Sequence, residues 1–217
     1  MKSLILKDLY NISHNAKSML FMLLVFVIVI IPMYSVEAYI ITSGILCSMM
    51  VITTFSFDER SDWTKYAMVT PISRKDLVAS KFVVLLIFSA FGVVSGLILG
   101  FAGGLITKKV VLDLTSIASL LVITVVGMMI AVIFGSISIP LMFKFGAEKA
   151  RMLSLISFLL PVAVCFVVYQ VLVMFGVSFT DSSVFVLLCS SPMIAAIWNF
   201  VMYKISYTIF SRKEVLH

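Results

Sequence analysis

Long apolar runs alternate with short polar interruptions along this chain, and the runs predict six membrane-spanning helices. Each run is near or above the ~20 residues that a helix needs to cross the hydrocarbon core of a bilayer. We place the spans at Met19–Ser35, Ala38–Phe57, Phe82–Ile106, Ile117–Phe143, Leu153–Phe175 and Met193–Phe210. The pattern therefore predicts an all-α integral membrane protein that forms a single transmembrane domain over residues 1–217.

The first 17 residues are more polar than any of the spans and predict an interfacial helix. At 100° per residue one face of this helix is apolar and the opposite face is polar. The apolar stripe comprises Ile5, Leu9, Ile12 and Ala16, and the polar face comprises Lys7, Asn11, His14 and Asn15. Such a helix is expected to lie in the membrane surface with its polar side chains in water.

The last apolar region, residues 182–210, is too long for one ordinary span. Its 29 residues would form a helix of roughly 43 Å at 1.5 Å per residue. Ser190-Ser191-Pro192 predicts a break, so we expect a short re-entrant helix on the outer side over residues 182–192, with its helical part at Ser182–Cys189, before the sixth span. The alternative is one tilted helix with a kink at the proline.

The longest polar interruption is Asp58–Lys81, which holds nine of the chain's 26 charged side chains. Trp63 and Tyr66 are three residues apart and predict one face of a short helix that starts at Asp58-Glu59. Thr70-Pro71 is expected to end this helix, because proline disfavours the helical conformation of the preceding residue.

A second helix start follows the proline, since Ser73 and Asp76 have the spacing of a capping box. The segment is thus expected to be a docking element for another protein. The simpler alternative is an amphipathic helix that rests on anionic lipid headgroups.

The distribution of basic residues predicts the orientation. With both termini in the cytoplasm, 14 of the 16 Lys and Arg residues lie on the cytoplasmic side and only Lys108 and Lys109 lie outside. The net charge of +6 therefore reflects membrane topology, and we expect no binding of nucleic acid.

Small residues recur at every fourth position in the third predicted span, at Gly92, Gly96, Gly100 and Gly104. A weaker set follows in the fourth span, at Gly127, Ala131 and Gly135. Small residues at this spacing allow helix backbones to approach closely. We favour packing within one subunit over a substrate groove.

The chain offers no motif for catalysis, metal binding or cofactor binding. None of the ten glycines precedes a lysine, so the usual phosphate-binding loop is absent. Cys47, Cys165 and Cys189 lie in apolar stretches without the spacing of a metal site. No acidic residue falls near the middle of a predicted span, which argues against an ion-coupled carrier. We expect a non-enzymatic membrane protein.

In this setting the chain resembles the small permease subunits of type-2 ABC exporters. The residues that carry the resemblance are Asp58-Glu59, Trp63, Tyr66, Pro71, Ser73-Arg74-Lys75 and Lys81. Among small members, the chain is most similar to permeases that export amphipathic peptides such as phenol-soluble modulins. The resemblance implies a homodimer or heterodimer of permeases with two cytoplasmic ATPase subunits, which would carry the ATP and Mg²⁺.

The resemblance also implies a coupling helix that sits in a groove of the ATPase subunit. The residues it assigns to this contact are Asp58, Glu59, Asp62, Trp63, Tyr66, Pro71 and Arg74. A different class of protein also fits the residues: a non-transporting membrane scaffold or sensor that uses Asp58–Lys81 to bind another partner.

Overall fold

The computed structural model describes residues 1–13, 16–110, 113–149 and 181–212, together with six isolated positions between 153 and 174. The regular structure in these residues is helical, which confirms the predicted all-α class. The helices are α1 (Lys2–Ser13), α2 (Ala16–Met33), α3 (Val36–Ser48), α4 (Met50–Arg60), α5 (Trp63–Val69), α6 (Arg74–Ile106), α7 (Leu114–Phe145) and α8 (Asp181–Arg212).

Four helical stretches in the described residues are long and apolar enough to cross a membrane. They are Val36–Arg60, Arg74–Ile106, Leu114–Phe145 and Ser191–Arg212. The pair α1 and α2, which meet at an angle of 63°, makes a fifth candidate if it is counted as one span. The predicted span Leu153–Phe175 lies almost wholly outside the described residues, so the count of six stays a prediction.

The break predicted at Ser190-Ser191-Pro192 is wrong. Helix α8 runs without interruption from Asp181 to Arg212 and contains Pro192, as in the alternative of a single proline-containing helix. Proline lacks only one backbone donor, and membrane helices tolerate it when neighbouring groups compensate. The re-entrant position of residues 182–192 relative to a bilayer stays a prediction.

The centre of the bundle is formed by α3, which packs between α6 and α7. The glycine stripe of α6 faces α3: a Cβ atom added at Gly92 would lie 2.5 Å from Cys47 Cβ and 2.8 Å from the carbonyl oxygen of Ser43. Ser43 Oγ donates a hydrogen bond of 3.0 Å to the carbonyl oxygen of Gly92. Gly96 likewise faces Ser43. The two helices are therefore in backbone contact.

The stripe continues towards the far end of α6, where Gly100 faces Tyr39 and Gly104 faces Val36. The glycines of α7 also approach α3, with Gly127 beside Ile41. These contacts place the glycines at the interfaces of α3 with α6 and α7.

Phenylalanine side chains from α4, α7 and α8 pack against each other at the end of the bundle that carries α5. The ring centroids of Phe55 and Phe143 lie 5.0 Å apart in an edge-to-face arrangement, and Phe143 is also 5.0 Å from Phe210. Aromatic pairs at this distance pack favourably. They hold the end of α4, from which the polar segment starts, against α7 and α8.

Candidate functional site

The short helix α5 connects α4 to α6 and has sharply defined ends. Asp62, which precedes it, adopts the left-handed conformation (φ 49°, ψ 26°), which aspartate tolerates better than most residues. Thr70, which follows it, is extended (φ −87°, ψ 159°). The predicted end of the helix at Thr70-Pro71 is therefore confirmed.

The helix start predicted after the proline is also confirmed. Ser73 Oγ accepts a hydrogen bond of 3.1 Å from the backbone N–H of Asp76 and donates one of 2.7 Å to the Asp76 carboxylate. This cap opens α6 and satisfies a backbone donor that has no partner within the helix.

The predicted start of the short helix at Asp58-Glu59 is wrong. Both residues belong to the last turn of α4, and α5 starts at Trp63. Their carboxylates are used in contacts between helices rather than at the positive end of a helix dipole. Glu59 Oε2 accepts a hydrogen bond of 2.5 Å from the backbone N–H of Ala147, which follows the end of α7.

Asp58 belongs to a buried cluster of two acids and two bases, which we call the charge cluster: Lys7, Asp8, Asp58 and Lys81. Lys81 Nζ lies 2.9 Å from Asp8 Oδ2 and 2.6 Å from Asp58 Oδ2. Lys7 Nζ pairs with the other oxygen of Asp58. The side chains of Asp8 and Lys81 are only 1% and 3% exposed, so these charges are shielded from water.

The charge cluster is formally neutral and nearly saturated in hydrogen bonds. Lys81 Nζ also donates to Thr54 Oγ1 at 3.1 Å, so its three N–H groups each have an acceptor. Lys7 Nζ lies 3.2 Å from Asp8 Oδ1, which is close enough for ion pairing although the atoms are not aligned as a hydrogen bond. Burial of these charges is tolerable because they are paired.

Sequence reasoning missed most of this cluster. It placed Lys7 on the wet face of the first helix, which is wrong because the ammonium group turns to Asp58. It gave no role to Asp8, although Leu4, Asp8 and Ile12 follow at intervals of four and are all buried. An acid within such an apolar stripe is a signal for a buried partner. The side chains of residues 14–16 lie outside the described residues.

The structure separates Trp63 from Tyr66, which the sequence placed on one face. Trp63 is partly buried against the core, and Lys7 Nζ lies 4.7 Å from the centroid of its ring. Tyr66 and Val69 instead project outward, with 66% and 81% of their surface exposed. Single exposed apolar residues are common. Here the two exposed residues are three apart on the outer face of a helix whose inner face packs against the core through Ala67.

The remaining residues assigned by the resemblance fall into two groups. Asp62 and Pro71 are exposed beside α5, and Asp62 pairs with Lys65 at 3.1 Å on the surface. Arg74 turns to the end of α8, where its Nη1 donates to the carbonyl oxygens of Phe210 at 3.1 Å and Ser211 at 2.6 Å. Arg74 therefore caps a helix C-terminus.

A groove of about 270 Å³ lies beside α5. Its lining combines an apolar floor with a charged rim. The floor includes Phe55, Leu77, Met142, Phe143 and Phe210, and the rim includes Glu59, Asp62 and Lys65.

Metal binding finds no support in the described residues, which contain no group of three or more His, Cys, Asp or Glu side chains that could hold an ion. Cys47 is buried in α3 without a disulfide partner. The side chains of Cys165 and Cys189 lie outside the described residues.

A family model described as ABC-2 family transporter protein matches residues 3–211. No curated protein and no solved structure matches the chain.

Proposed function

Because the chain belongs to the ABC-2 transporter family, whose members are membrane permease components, we propose that it is the permease subunit of an exporter whose ATPase subunit binds at α5. Two ATPase subunits, which carry the ATP and Mg²⁺, would serve a dimer of permeases. When the ATPase subunits close on ATP, they displace α5. The permease dimer then switches between an inward-facing and an outward-facing state. The energy is thus supplied by the partner, and the permease supplies different substrate affinities in the two states.

The observation that carries this proposal is the exposed pair Tyr66 and Val69 on a short helix that is fixed at both ends. Aromatic residues dominate the binding energy of many protein interfaces, because they bury a large area at little entropic cost. The helix is held by the turn at Asp62 and by the cap at Ser73. A rigid helix that presents such a pair loses little freedom on binding.

Trp63 was expected to enter the ATPase groove, and its contact with Lys7 supports a different role. We propose that Trp63 holds α5 against α1, while Tyr66 and Val69 make the main contact with the ATPase subunit. Asp62, Pro71 and Lys65 would form the rim of this contact.

We also propose an orientation of the chain in the membrane and a class of substrate. The excess of Lys and Arg near α5 and the termini supports a cytoplasmic location for both. The 14 methionines and 18 phenylalanines would offer an adaptable apolar lining, which supports an amphipathic or hydrophobic substrate such as a peptide.

The test is affinity purification of the ATPase subunit with the permease from membranes that contain both. Tyr66→Ala with Val69→Ala is expected to weaken binding by about 2 kcal/mol or more, roughly thirtyfold, as for the loss of a central aromatic anchor. The single variant Trp63→Ala is expected to weaken binding less, because it loosens α5 without removing the contact.

Tyr10→Ala is the matched control, because Tyr10 is 79% exposed on α1 and has no role in the proposed contact. All variants are compared at equal amounts in the membrane. Wild-type binding by the Tyr66 and Val69 double variant would contradict the proposed contact. Failure of the wild-type permease to bind any ATPase subunit would contradict the proposed function itself.

A further inference from the structure

We propose that the charge cluster is a positioning device that makes α1 and α6 follow the movement of α4 and α5. This inference rests on the proposed function, since it concerns how a movement of α5 reaches the membrane-spanning helices. It gives α1 a part in coupling that differs from the surface anchor expected from the sequence. Lys7, Asp8, Asp58 and Lys81 are positioning residues in this account.

The charge cluster joins three helices that are distant in sequence. Lys7 and Asp8 belong to α1, Asp58 belongs to α4 and Lys81 belongs to α6. Lys81 alone bridges all three, because its ammonium group contacts Asp8 and Asp58 as well as Thr54 of α4.

The charge cluster is also connected to α5. Lys7 Nζ pairs with Asp58 and lies 4.7 Å from the centroid of the Trp63 ring. A cation over an indole ring is attracted by the negative face of the ring. Asp58 itself is only five residues before Trp63 along the chain. A displacement of α5 therefore acts on the cluster through Trp63 and through the backbone of α4.

Helix α6 leads from the charge cluster to the far end of the bundle. Lys81 lies near the start of α6, which continues as one helix to Ile106 at the opposite end. The 25 steps along the helix from Lys81 to Ile106 span roughly 37 Å at 1.5 Å per residue. The glycine stripe of α6 then contacts α3. A shift of α6 at Lys81 would thus be carried to the far end of the bundle.

Paired charges in the cluster resist separation more strongly than apolar side chains do. A buried ion pair is often no more stabilising than well-packed apolar groups of the same size, but separation of its partners leaves unpaired charges in a medium of low polarity. The helices that share the cluster are therefore expected to move together rather than slide apart. Coupling requires that α1 and α6 move together with α4.

The test uses the double variant Lys81→Met with Asp8→Asn, which disconnects α6 and leaves the neutral pair Lys7 and Asp58. Lys75→Met is the matched control, because Lys75 is exposed on the same helix and takes no part in the cluster. Lys81→Arg, which keeps the charge, is expected to restore part of the coupling.

The measured quantities are distances between spin labels in the two permease subunits of the complete complex in lipid nanodiscs. Cys47, Cys165 and Cys189 are first replaced, and a single label is placed either at Ser61, beside α5, or at Ile106, at the far end of α6. Distances without nucleotide are compared with those in the presence of ATP, Mg²⁺ and vanadate. In the wild type we expect shifts at both labels.

In the double variant we expect the ratio of the Ile106 shift to the Ser61 shift to fall by more than half, and Lys75→Met to keep the wild-type ratio. A wild-type ratio in the double variant would overturn the inference. Absence of any shift in the wild type would count against the proposed function instead.

A second measurement on the permease alone tests the connection to α5 without a partner. Trp198→Phe leaves Trp63 as the only tryptophan of the chain. In this background Lys7→Met with Asp58→Asn is expected to move the Trp63 emission to longer wavelength and to increase its quenching by acrylamide, because α5 is released. Emission and quenching equal to those of the Lys75→Met control would overturn the connection.

Discussion

Substitution of Gly92 by alanine tests the close contact between α6 and α3. The new Cβ would lie 2.5 Å from Cys47 Cβ and 2.8 Å from the carbonyl oxygen of Ser43. Neither atom is the flexible end of a side chain, so the two helices must move apart. This movement would also lengthen the hydrogen bond from Ser43 Oγ to the carbonyl oxygen of Gly92.

The expected cost follows from three terms. Overpacking of a tight interface costs typically about 1–3 kcal/mol, and a weakened buried hydrogen bond adds about 1 kcal/mol. Alanine in a helix recovers roughly 1 kcal/mol relative to glycine. The net destabilisation expected for Gly92→Ala is therefore about 1–3 kcal/mol.

Gly127 and Gly100 provide a graded control. A Cβ at Gly127 would meet its nearest neighbours at 3.5 Å or more, which is ordinary van der Waals contact, so Gly127→Ala is expected to be neutral or slightly stabilising. At Gly100 the nearest atoms are side-chain atoms at 3.2 and 3.3 Å, and an intermediate effect is expected.

The assay is equilibrium unfolding in lipid–detergent micelles with increasing dodecyl sulfate, followed by circular dichroism. We expect Gly127→Ala to be the most stable variant, Gly100→Ala to be intermediate and Gly92→Ala to be the least stable. Equal stability of the Gly92 and Gly127 variants would refute the view that α6 and α3 are in backbone contact.

Two further predictions concern the polar segment. Ser73→Ala removes the cap of α6 and is expected to cost about 1 kcal/mol of stability in the same unfolding assay. Ser73→Thr keeps the hydroxyl group and should keep most of this stability, so equal losses in both variants would contradict a capping role. The charge asymmetry predicts that α5 lies in the cytoplasm. In a background in which Cys47, Cys165 and Cys189 are replaced, a cysteine at Ser61 is therefore expected to react with an impermeant thiol reagent only in opened cells. A cysteine at Ile106 is expected to react in intact cells as well. The reverse pattern would show that the orientation is inverted.

The local features of the fold were predictable from the sequence, because each depends on a few neighbouring residues. The cap at Ser73 needs only the residue three positions later, and the end of α5 follows from the geometry of Thr70-Pro71. The long apolar runs likewise predicted both ends of α7 to within a few residues and the end of α6 at Ile106, whereas the start of α6 at Arg74 follows from the cap at Ser73. The predicted break at Pro192 was wrong, because a proline lowers the stability of a helix but does not by itself interrupt it.

The candidate site was harder to predict, because its contacts join residues far apart in the chain. Lys81 meets Asp8 across 73 positions, and Lys7 meets Asp58 across 51. Helical periodicity placed Trp63 and Tyr66 near each other, but in a helix of seven residues the buried side depends on what lies beside it. One such neighbour is Lys7 of α1, whose ammonium group lies 4.7 Å from the centroid of the Trp63 ring.

The contact of Arg74 with the end of α8 has a practical consequence for engineering. It holds Phe210 and Ser211 beside the first residue of α6, only a few positions after α5. A partner docked on α5 would therefore sit close to the point where α8 ends. Ten flexible residues added after that point span at most about 35 Å. Fusion of the ATPase subunit through such a short linker would yield a single polypeptide with a fixed subunit ratio.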